Sequence, residues 1–370
     1  MSYNLKNNSL VLTTLLIFIS MNAFAQKYHS DKLILAASFG AYRPIGVSVN
    51  SANRLFVSFP KQSENYQFGL TEIIDGQRVP YPSAEWNKEG TPADHFVNVQ
   101  DLFVDSKDFL WVLDSKPSSS GSIFGASDKP SDGQFKLLKI NTKSNVVDRI
   151  YTFEDLDKSK SGLNDIRVDV DKNLAYLSDP GQAAIIVLNL ETGTTRKVLQ
   201  QTQYTLADPS VILSYDGEEM RNKEGKPFVS NVNGIALTHD FKYFYFKPIN
   251  QTHLFRIETQ YLADTSLSSE SLQTKVEDMG DVGVTHGLIA DKTGNIYLST
   301  SLDYTIKYLS PDRKLHTLVQ DSRLLWPDSF GIGTDGYLYF SCAQLSRDPQ
   351  WNDGVDRKEL PFSVFKIKLP

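Results

Sequence analysis

Six residues occupy equivalent places in six repeats of this 370-residue chain, and five of the six are polar. Each stands directly before a short apolar segment with the character of a strand. Their amide, imidazole and carboxylate groups offer oxygen and nitrogen donors to a divalent cation or to a polar ligand. In chain order the six residues are Ile45, Gln100, Asn164, Asn233, His286 and Asp328.

We predict that Gln100, Asn164, Asn233, His286 and Asp328 bind a ligand. The last four of these would hold one divalent cation, which could be Ca²⁺, Zn²⁺ or Mn²⁺, if a metal is bound at all. His286 is the candidate catalytic residue, because a histidine can ligate, donate hydrogen bonds or act as a base near neutral pH. The alternative is structural: Asn and Asp before a strand commonly cap turns, and His286 could be satisfied by neighbouring backbone.

The repeat itself indicates the elements that position these residues. Each copy is an apolar strand, a tight turn rich in Asp, Asn and Gly, and a second apolar strand; one reads GLIADKTGNIYLST (287–300) and another DLFVDSKDFLWVLD (101–114). A repeat of this size with only strands predicts an all-β fold, a six-bladed β-propeller. Because inner strands converge on the axis, the six positions should form a ring at one mouth of the central channel. The copies begin at Gly46, Asp101, Asp165, Gly234, Gly287 and Ser329.

The sixth copy is one strand short before the chain ends. The segment Lys32–Phe39 precedes the first copy and has no partner of its own. Pairing this N-terminal strand with the last blade would close the ring and remove two exposed sheet edges. The balance between the two ends is an independent argument for six blades.

The N-terminus has the features of a signal peptide. An apolar run covers Leu10–Ile19, and the A-x-A site Ala23–Ala25 follows it. We therefore predict a signal peptide over residues 1–25, a single propeller domain over residues 26–370, and a secreted or periplasmic location. The lone Cys342 excludes an intramolecular disulfide, so the core alone must hold the fold.

The charge pattern excludes two classes of partner. The formal net charge is −6, the two signs are interspersed, and no cluster of Lys and Arg occurs. These features argue against nucleic acid and against an anionic membrane as partners. We also expect no insertion into a membrane, because the apolar run at the N-terminus is short and no second run follows it. A small-molecule ligand is the expected partner. We expect a monomer, because a closed ring leaves no obvious strand edge for association.

Several segments of the chain resemble the yellow / major royal jelly protein family. They read RPIGVSVNSANRLFVSFP (43–60), NDIRVDVDKNLAYLSD (164–179), NGIALTHDFKYFYFKP (233–248) and LWPDSFGIGTDGYLYF (325–340), together with 101–114. The resemblance implies an exported six-bladed propeller, and the absence of the cysteines of animal members indicates a bacterial one. The family includes pigmentation-related proteins, proposed dopachrome-converting enzymes, nutritive proteins and binders of small amines.

A more distant resemblance is to the gluconolactonase / senescence marker protein family, also six-bladed. In that family, Asn residues that open two inner strands and an Asp that opens the next contribute to a central divalent metal site. Asn164 and Asn233 match the two Asn positions, and His286 stands where the Asp would be. This resemblance implies a metal and lactonase activity.

Three functions follow as hypotheses. The first is an exported propeller that binds a small polar or aromatic ligand in its central channel. The second is a metal-assisted, gluconolactonase-like lactone hydrolase, in which His286 would ligate the ion or activate water; a quinone or dopachrome tautomerase is a variant of this idea. The third is a protein-interaction platform that uses the long loops. The fold does not decide among them.

Overall fold

The computed structural model describes residues 28–61, 66–115 and 135–370. These residues form six four-stranded antiparallel sheets around one axis. The predicted all-β, six-bladed propeller is therefore confirmed. The predicted signal peptide, residues 1–25, lies outside the described residues and stays a prediction. Within the described ranges, no helix is long and apolar enough to cross a membrane.

The strands of each blade follow one another from the axis outward, and strand β1 (Ile34–Ser38) precedes them all. Blade 1 holds β2 (Val47–Val49), β3 (Leu55–Ser58), β4 (Leu70–Ile74) and β5 (Gln77–Pro80). Blade 2 holds β6 (Val99–Val104), β7 (Phe109–Asp114), β8 (Lys136–Asn141) and β9 (Val146–Tyr151). Blade 3 holds β10 (Ile166–Asp169), β11 (Leu174–Asp179), β12 (Ala184–Asn189) and β13 (Thr195–Val198).

The second half of the chain repeats this order. A small hairpin, β14 (Ser214–Tyr215) and β15 (Glu218–Glu219), comes first. Blade 4 holds β16 (Val232–Leu237), β17 (Tyr243–Pro248), β18 (His253–Glu258) and β19 (Glu277–Asp281), with helices α1 (Thr259–Ala263) and α2 (Ser269–Gln273) before β19. Blade 5 holds β20 (Leu288–Ala290), β21 (Ile296–Thr300), β22 (Thr305–Leu309) and β23 (Leu315–Gln320). Blade 6 holds β24 (Pro327–Ile332), β25 (Tyr337–Cys342) and β26 (Ser363–Lys368).

Burial decreases from the axis outward, and this explains the residue patterns of the strands. The inner strands β2 and β16 are buried at every position, because neighbouring blades cover both of their faces. The outermost strand β5 instead alternates between exposed and partly buried residues. Continuous apolar runs therefore indicate inner strands, and residues that alternate between exposed and partly buried indicate outer strands.

Strand β1 completes the last blade, as predicted from the unbalanced chain ends. The sheet order is β1-β26-β25-β24, and β1 pairs antiparallel to β26 from Ile34 opposite Lys366 to Ser38 opposite Ser363. Ala37 packs into a core cluster shared with the first blade. The N-terminal strand thus closes the ring through hydrogen bonds and through side-chain burial.

Glycines allow the inner strands to approach one another backbone to backbone. A Cβ atom on Gly287 would lie 1.7 Å from the carbonyl oxygen of Asp328, and one on Gly234 would lie 2.3 Å from that of His286. Any side chain at these two positions would push neighbouring blades apart. The glycines therefore bring the predicted ring residues of blades 4, 5 and 6 together.

Two long connections cover one mouth of the channel. Residues from 211–228, including the β14–β15 hairpin, and from 343–351 pack with Ile45 and Trp326 in one apolar cluster. This is the mouth at which the inner strands begin, and hence the mouth where the ring of polar residues was predicted. We call it the ring mouth, and the other end, where the inner strands finish, the far mouth.

Closure by β1 predicts that a buried charge on this strand destabilises the whole domain. Ala37 is 5% exposed, whereas Leu35 on the same strand is 53% exposed. We expect Ala37→Glu to lower the free energy of unfolding by about 3 kcal/mol, because it buries an unpaired carboxylate. The matched control Leu35→Glu should change it by no more than about 0.5 kcal/mol. Equal effects of the two variants in urea denaturation would contradict a closing role for β1.

Candidate functional site

Three of the predicted ring residues lie at β-bulges rather than directly before a strand. The strand pairing shifts at Gln100, at Asn233 and at Asp328, each at the second residue of its inner strand. A bulge leaves a residue unpaired in the ladder and redirects its side chain. The remaining ring residues, Ile45, Asn164 and His286, precede β2, β10 and β20 as predicted.

Serines in the second strands fix the backbone of the ring. In blade 1, the Ser58 hydroxyl accepts a hydrogen bond from the Gly46 N–H (2.7 Å) and donates to the carbonyl of Gln100 in the next blade (2.8 Å). The equivalent Ser341 donates to the carbonyl of Ile45 (2.6 Å). These bonds join neighbouring blades at the level of the ring. The serines that bind ring-level backbone are Ser58, Ser178, Ser299 and Ser341.

Gln100 and Asn164 are joined in a short chain of hydrogen bonds that ends at a carboxylate. The Gln100 amide donates to Asn164 Oδ1 (3.3 Å), and Asn164 Nδ2 donates to Asp165 Oδ1 (2.7 Å). Both amide side chains are buried. In blade 4, Asn233 Nδ2 lies 3.4 Å from the hydroxyl of Ser230. The two amides between blades 2 and 3 thus orient Asp165.

His286 is buried and held as a neutral imidazole. Its Nε2 lies 2.5 Å from the Ser301 hydroxyl, and its ring stacks on Trp326 at 3.8 Å between centroids. Burial, with a smaller contribution from the charge of Lys247, lowers the pKa of His286 to about 3. Nδ1 is buried and has no hydrogen-bond partner among the described residues. A histidine with so low a pKa is a weak base at neutral pH.

Two carboxyl groups at the ring mouth form no ion pair within the ranges that the structure describes. Burial raises the pKa of Asp328 to about 7; the indole N–H of Trp326 (3.1 Å) opposes this shift and the charge of Asp101 adds to it. Burial and the neighbouring Asp101 also raise the pKa of Asp165 well above its usual value, although the charge of Arg167 opposes this shift. Protein surrounds both groups, yet both keep some accessible surface. Both residues are therefore largely enclosed without being fully covered.

A buried ion pair crosses the channel beneath these carboxyls. Arg167 Nη1 donates to Asp101 Oδ2 (3.1 Å), and the two side chains are 4% and 3% exposed. Arg167 Nη2 reaches across the axis to the carbonyl of Leu288 in blade 5 (2.9 Å). On the other side, Asp101 Oδ1 accepts from the hydroxyl of Ser329 in blade 6 (3.2 Å), which in turn accepts from the Val47 N–H in blade 1 (3.1 Å). This network separates the ring mouth from the far mouth.

Aromatic side chains cover the ring mouth. The hydroxyl of Tyr215, on the β14–β15 hairpin, lies 2.8 Å from that of Ser301 and 3.4 Å from His286 Nε2. Its ring lies 5.9 Å from that of Trp326. Phe228 contacts Trp326 edge to face at 5.6 Å between centroids. The space beside Asp328 is therefore bounded by flat apolar surfaces as well as by carboxyl groups.

The structure thus places the predicted polar residues at one mouth, but their side chains differ in how far they are already hydrogen-bonded within the protein. Asp328 keeps some accessible surface, and Asn164 is hydrogen-bonded within the protein, whereas His286 is bonded through Nε2 but not through Nδ1. Sequence reasoning missed Asp165, because an Asp in a blade turn is ordinary, and it missed Arg167. One signal was present: Asp101 and Asp165 begin their copies, where three other copies begin with Gly.

The predicted metal set contains only two ionisable side chains, His286 and Asp328. Among the residues that the structure describes, no group of three or more His, Cys, Asp or Glu side chains could hold a metal ion. The predicted set, Asn164, Asn233, His286 and Asp328, includes two amides and stays a prediction. Of the oxygen donors at this mouth, Asp328 and Asp165 have the chemistry that a hard divalent cation prefers.

These features define a class of protein: a six-bladed propeller with a covered, carboxylate-bearing mouth. Residues 97–347, which are more than half of the chain, match the family model described as Major royal jelly protein. The chain therefore belongs to the major royal jelly protein family. No curated protein matches it.

Solved structures with the same fold are distant in sequence. The chain is similar to a calcium-binding protein, regucalcin, from Agrobacterium tumefaciens (13% identity, 90% of this chain and 93% of that chain covered, TM-score 0.52). It is also similar to a gluconolactonase from Xanthomonas campestris (10% identity, 93% and 97% covered, TM-score 0.52) and to a luciferin-regenerating enzyme (12% identity, 91% and 95% covered, TM-score 0.53). At these identities the similarity shows the fold alone.

Proposed function

We propose that this protein binds a small aromatic molecule carrying hydrogen-bond donors at the ring mouth of its channel. The observation that supports this most strongly is the pair Asp165 and Asp328, two enclosed carboxyls with raised pKa values that form no ion pair within the described residues. A hydrogen-bond donor of a ligand, and most of all a protonated amine, would pair with these carboxyls. Trp326 and Tyr215 would contact its ring.

The charge of Asp328 gives this proposal a pH dependence. Its pKa of about 7 lies above the usual carboxyl value of 3.8, so the folded protein holds a proton that the unfolded chain has released between these two pH values. Stability therefore falls as the pH rises through this range. A cation that binds the ionised group should offset this loss. Its affinity should fall as the pH drops below about 7.

We expect dopamine, catechol and 3,4-dihydroxyphenylacetate, which share one ring and differ in charge, to stabilise the protein in that order at pH 8. A ligand at ten times its Kd adds roughly 1.4 kcal/mol to the free energy of unfolding, which thermal-shift measurements resolve. The advantage of dopamine over catechol should shrink at pH 6, where Asp328 is protonated.

Asp328→Asn should weaken dopamine binding about tenfold or more, because it removes a charge-assisted hydrogen bond. Asp353→Asn, at an exposed loop position, is the matched control and should have no effect. Equal stabilisation by all three ligands, or an unchanged affinity in Asp328→Asn, would contradict the proposal.

A second candidate function is metal-assisted lactone hydrolysis. It is supported by the carboxyl groups of Asp328 and Asp165, which lie close enough for the charge of Asp328 to affect Asp165. These two groups, together with Asn233, could hold a divalent cation. Such an ion, when bound, would polarise a lactone carbonyl. The low pKa of His286 and its hydrogen bond to Ser301 favour an orienting role for the imidazole over that of a base.

This second function predicts one saturable site for Ca²⁺, Zn²⁺ or Mn²⁺ in chelator-treated protein, measured by calorimetry. Asp328→Asn should weaken the ion's binding at least about tenfold, since it removes a charged oxygen ligand. If the set predicted from the sequence holds the ion, then Asn233→Ala and His286→Ala should also abolish binding. Protein that binds none of the three ions would refute the lactonase mechanism and leave small-ligand binding intact.

A further inference from the structure

The far mouth of the channel opens into a cavity of about 550 Å³. All six blades contribute to its lining, mostly through residues at the ends of the inner strands where the chain leaves the axis. This volume is within the range of small-molecule sites in proteins, roughly 300–1,000 Å³. The ion pair of Arg167 and Asp101 separates the cavity from the ring mouth. It is therefore a second, independent compartment.

The deep part of the cavity is apolar and partly aromatic. Leu237, Ile289 and Phe330 form its walls, with Phe103 beside the guanidinium of Arg167. The Cζ atom of Arg167 lies 5.5 Å from the centroid of the Phe103 ring. Arg167 already donates its terminal nitrogens to Asp101 and to Leu288. It thus offers the cavity a flat cationic surface suited to an aromatic ring.

The rim of the same cavity carries three lysines that are not paired with a carboxylate. Lys107, Lys143 and Lys292 are exposed and line the opening. The ion pairs of the described residues include none of the three. Their ammonium groups are thus free to meet a ligand that approaches along the axis.

The acidic residues of the far mouth are already engaged in turns. Asp105 accepts the indole N–H of Trp111 (2.8 Å), and Asp108 accepts from the N–H and hydroxyl of Ser51 (2.8 and 2.9 Å). Asp291 accepts from Thr293, Asn295 and Tyr297. These carboxylates organise the loops of the blades. Each carboxylate keeps its charge but directs its oxygens to loop donors, so among the described residues of the rim the charged groups without an ion-pair partner or loop contact are the three lysines.

We propose that the far mouth is a second ligand site, which binds a small carboxylic acid with a compact aromatic body. The aromatic ring of the ligand lies in the apolar inner part of the cavity, against Phe103 and Phe330. The carboxylate of the ligand points outward to the lysines of the rim. This site has the opposite charge preference to the ring mouth. It extends the proposed function from one ligand to two chemically distinct ones.

The probe for this site is 3-phenylpropionate, compared with 3-phenylpropan-1-ol and 3-phenylpropylamine, which keep the ring and change the charge. Calorimetry should show one saturable site for the acid, an affinity roughly tenfold or more lower for the alcohol, and no binding of the amine at this mouth. Binding of the acid and the alcohol with equal affinity, or no saturable binding of the acid, would overturn the proposal.

Variants at the rim provide the second test. Lys107→Gln combined with Lys292→Gln should weaken binding of the acid roughly two- to tenfold, as expected for exposed ion pairs. Lys223→Gln is the matched control, because Lys223 is exposed in the loop over the ring mouth. Ile289→Trp should abolish binding by filling the cavity. If this variant fails to fold, the lysine variants still test the proposal, because their positions are exposed. An affinity that is unchanged in the double lysine variant would overturn the proposal.

The position of the ligand is the third test. In a crystal soaked with 3-(4-bromophenyl)propionate, the anomalous signal of bromine should lie between Phe103 and Phe330. A bromine at the ring mouth, or only at the outer surface of the blades, would overturn the assignment to the far mouth.

Discussion

The buried ion pair between Asp101 and Arg167 is the interaction on which the organisation of the channel depends. Both side chains are almost fully excluded from solvent, so each charge needs the other: removing one partner of such a pair typically costs about 3–5 kcal/mol. The pair also reaches beyond its own blades, to the carbonyl of Leu288 and the hydroxyl of Ser329. A propeller axis that could be an open channel is thereby closed at its middle.

This closure gives the two mouths different chemistry. At the ring mouth, burial and, to a smaller extent, the charge of Asp101 raise the pKa values of Asp165 and Asp328, while the charge of Arg167 opposes the shift of Asp165. At the far mouth, the guanidinium and the lysines of the rim face an apolar cavity. The carboxyls of Asp165 and Asp328 therefore lie on one side of the ion pair, and the lysines of the rim lie on the other.

The sequence predicts the architecture and the place of the site because both are recorded in local patterns. Turn residues and apolar runs mark the six blades, and the orphan strand before Ile45 marks how the ring closes. The contacts that determine the site are not local. Arg167 is 66 residues from Asp101 and 121 from Leu288, and along the chain it is only a polar residue inside a strand. Likewise, Tyr215 lies in a loop that is not part of the sequence repeat, so the repeat cannot predict that Tyr215 lies over His286.

The most direct test is a double-mutant cycle on the ion pair. The free energy of unfolding is measured by urea denaturation for Asp101→Asn, Arg167→Met and the double variant. We expect each single variant to lower the free energy of unfolding by about 3–5 kcal/mol, and the double variant to lose much less than the sum, because no unpaired charge remains. A control cycle on the exposed pair Lys314–Asp312 should show no measurable coupling. Additive, small losses at Asp101 and Arg167 would contradict the view that this pair divides the channel.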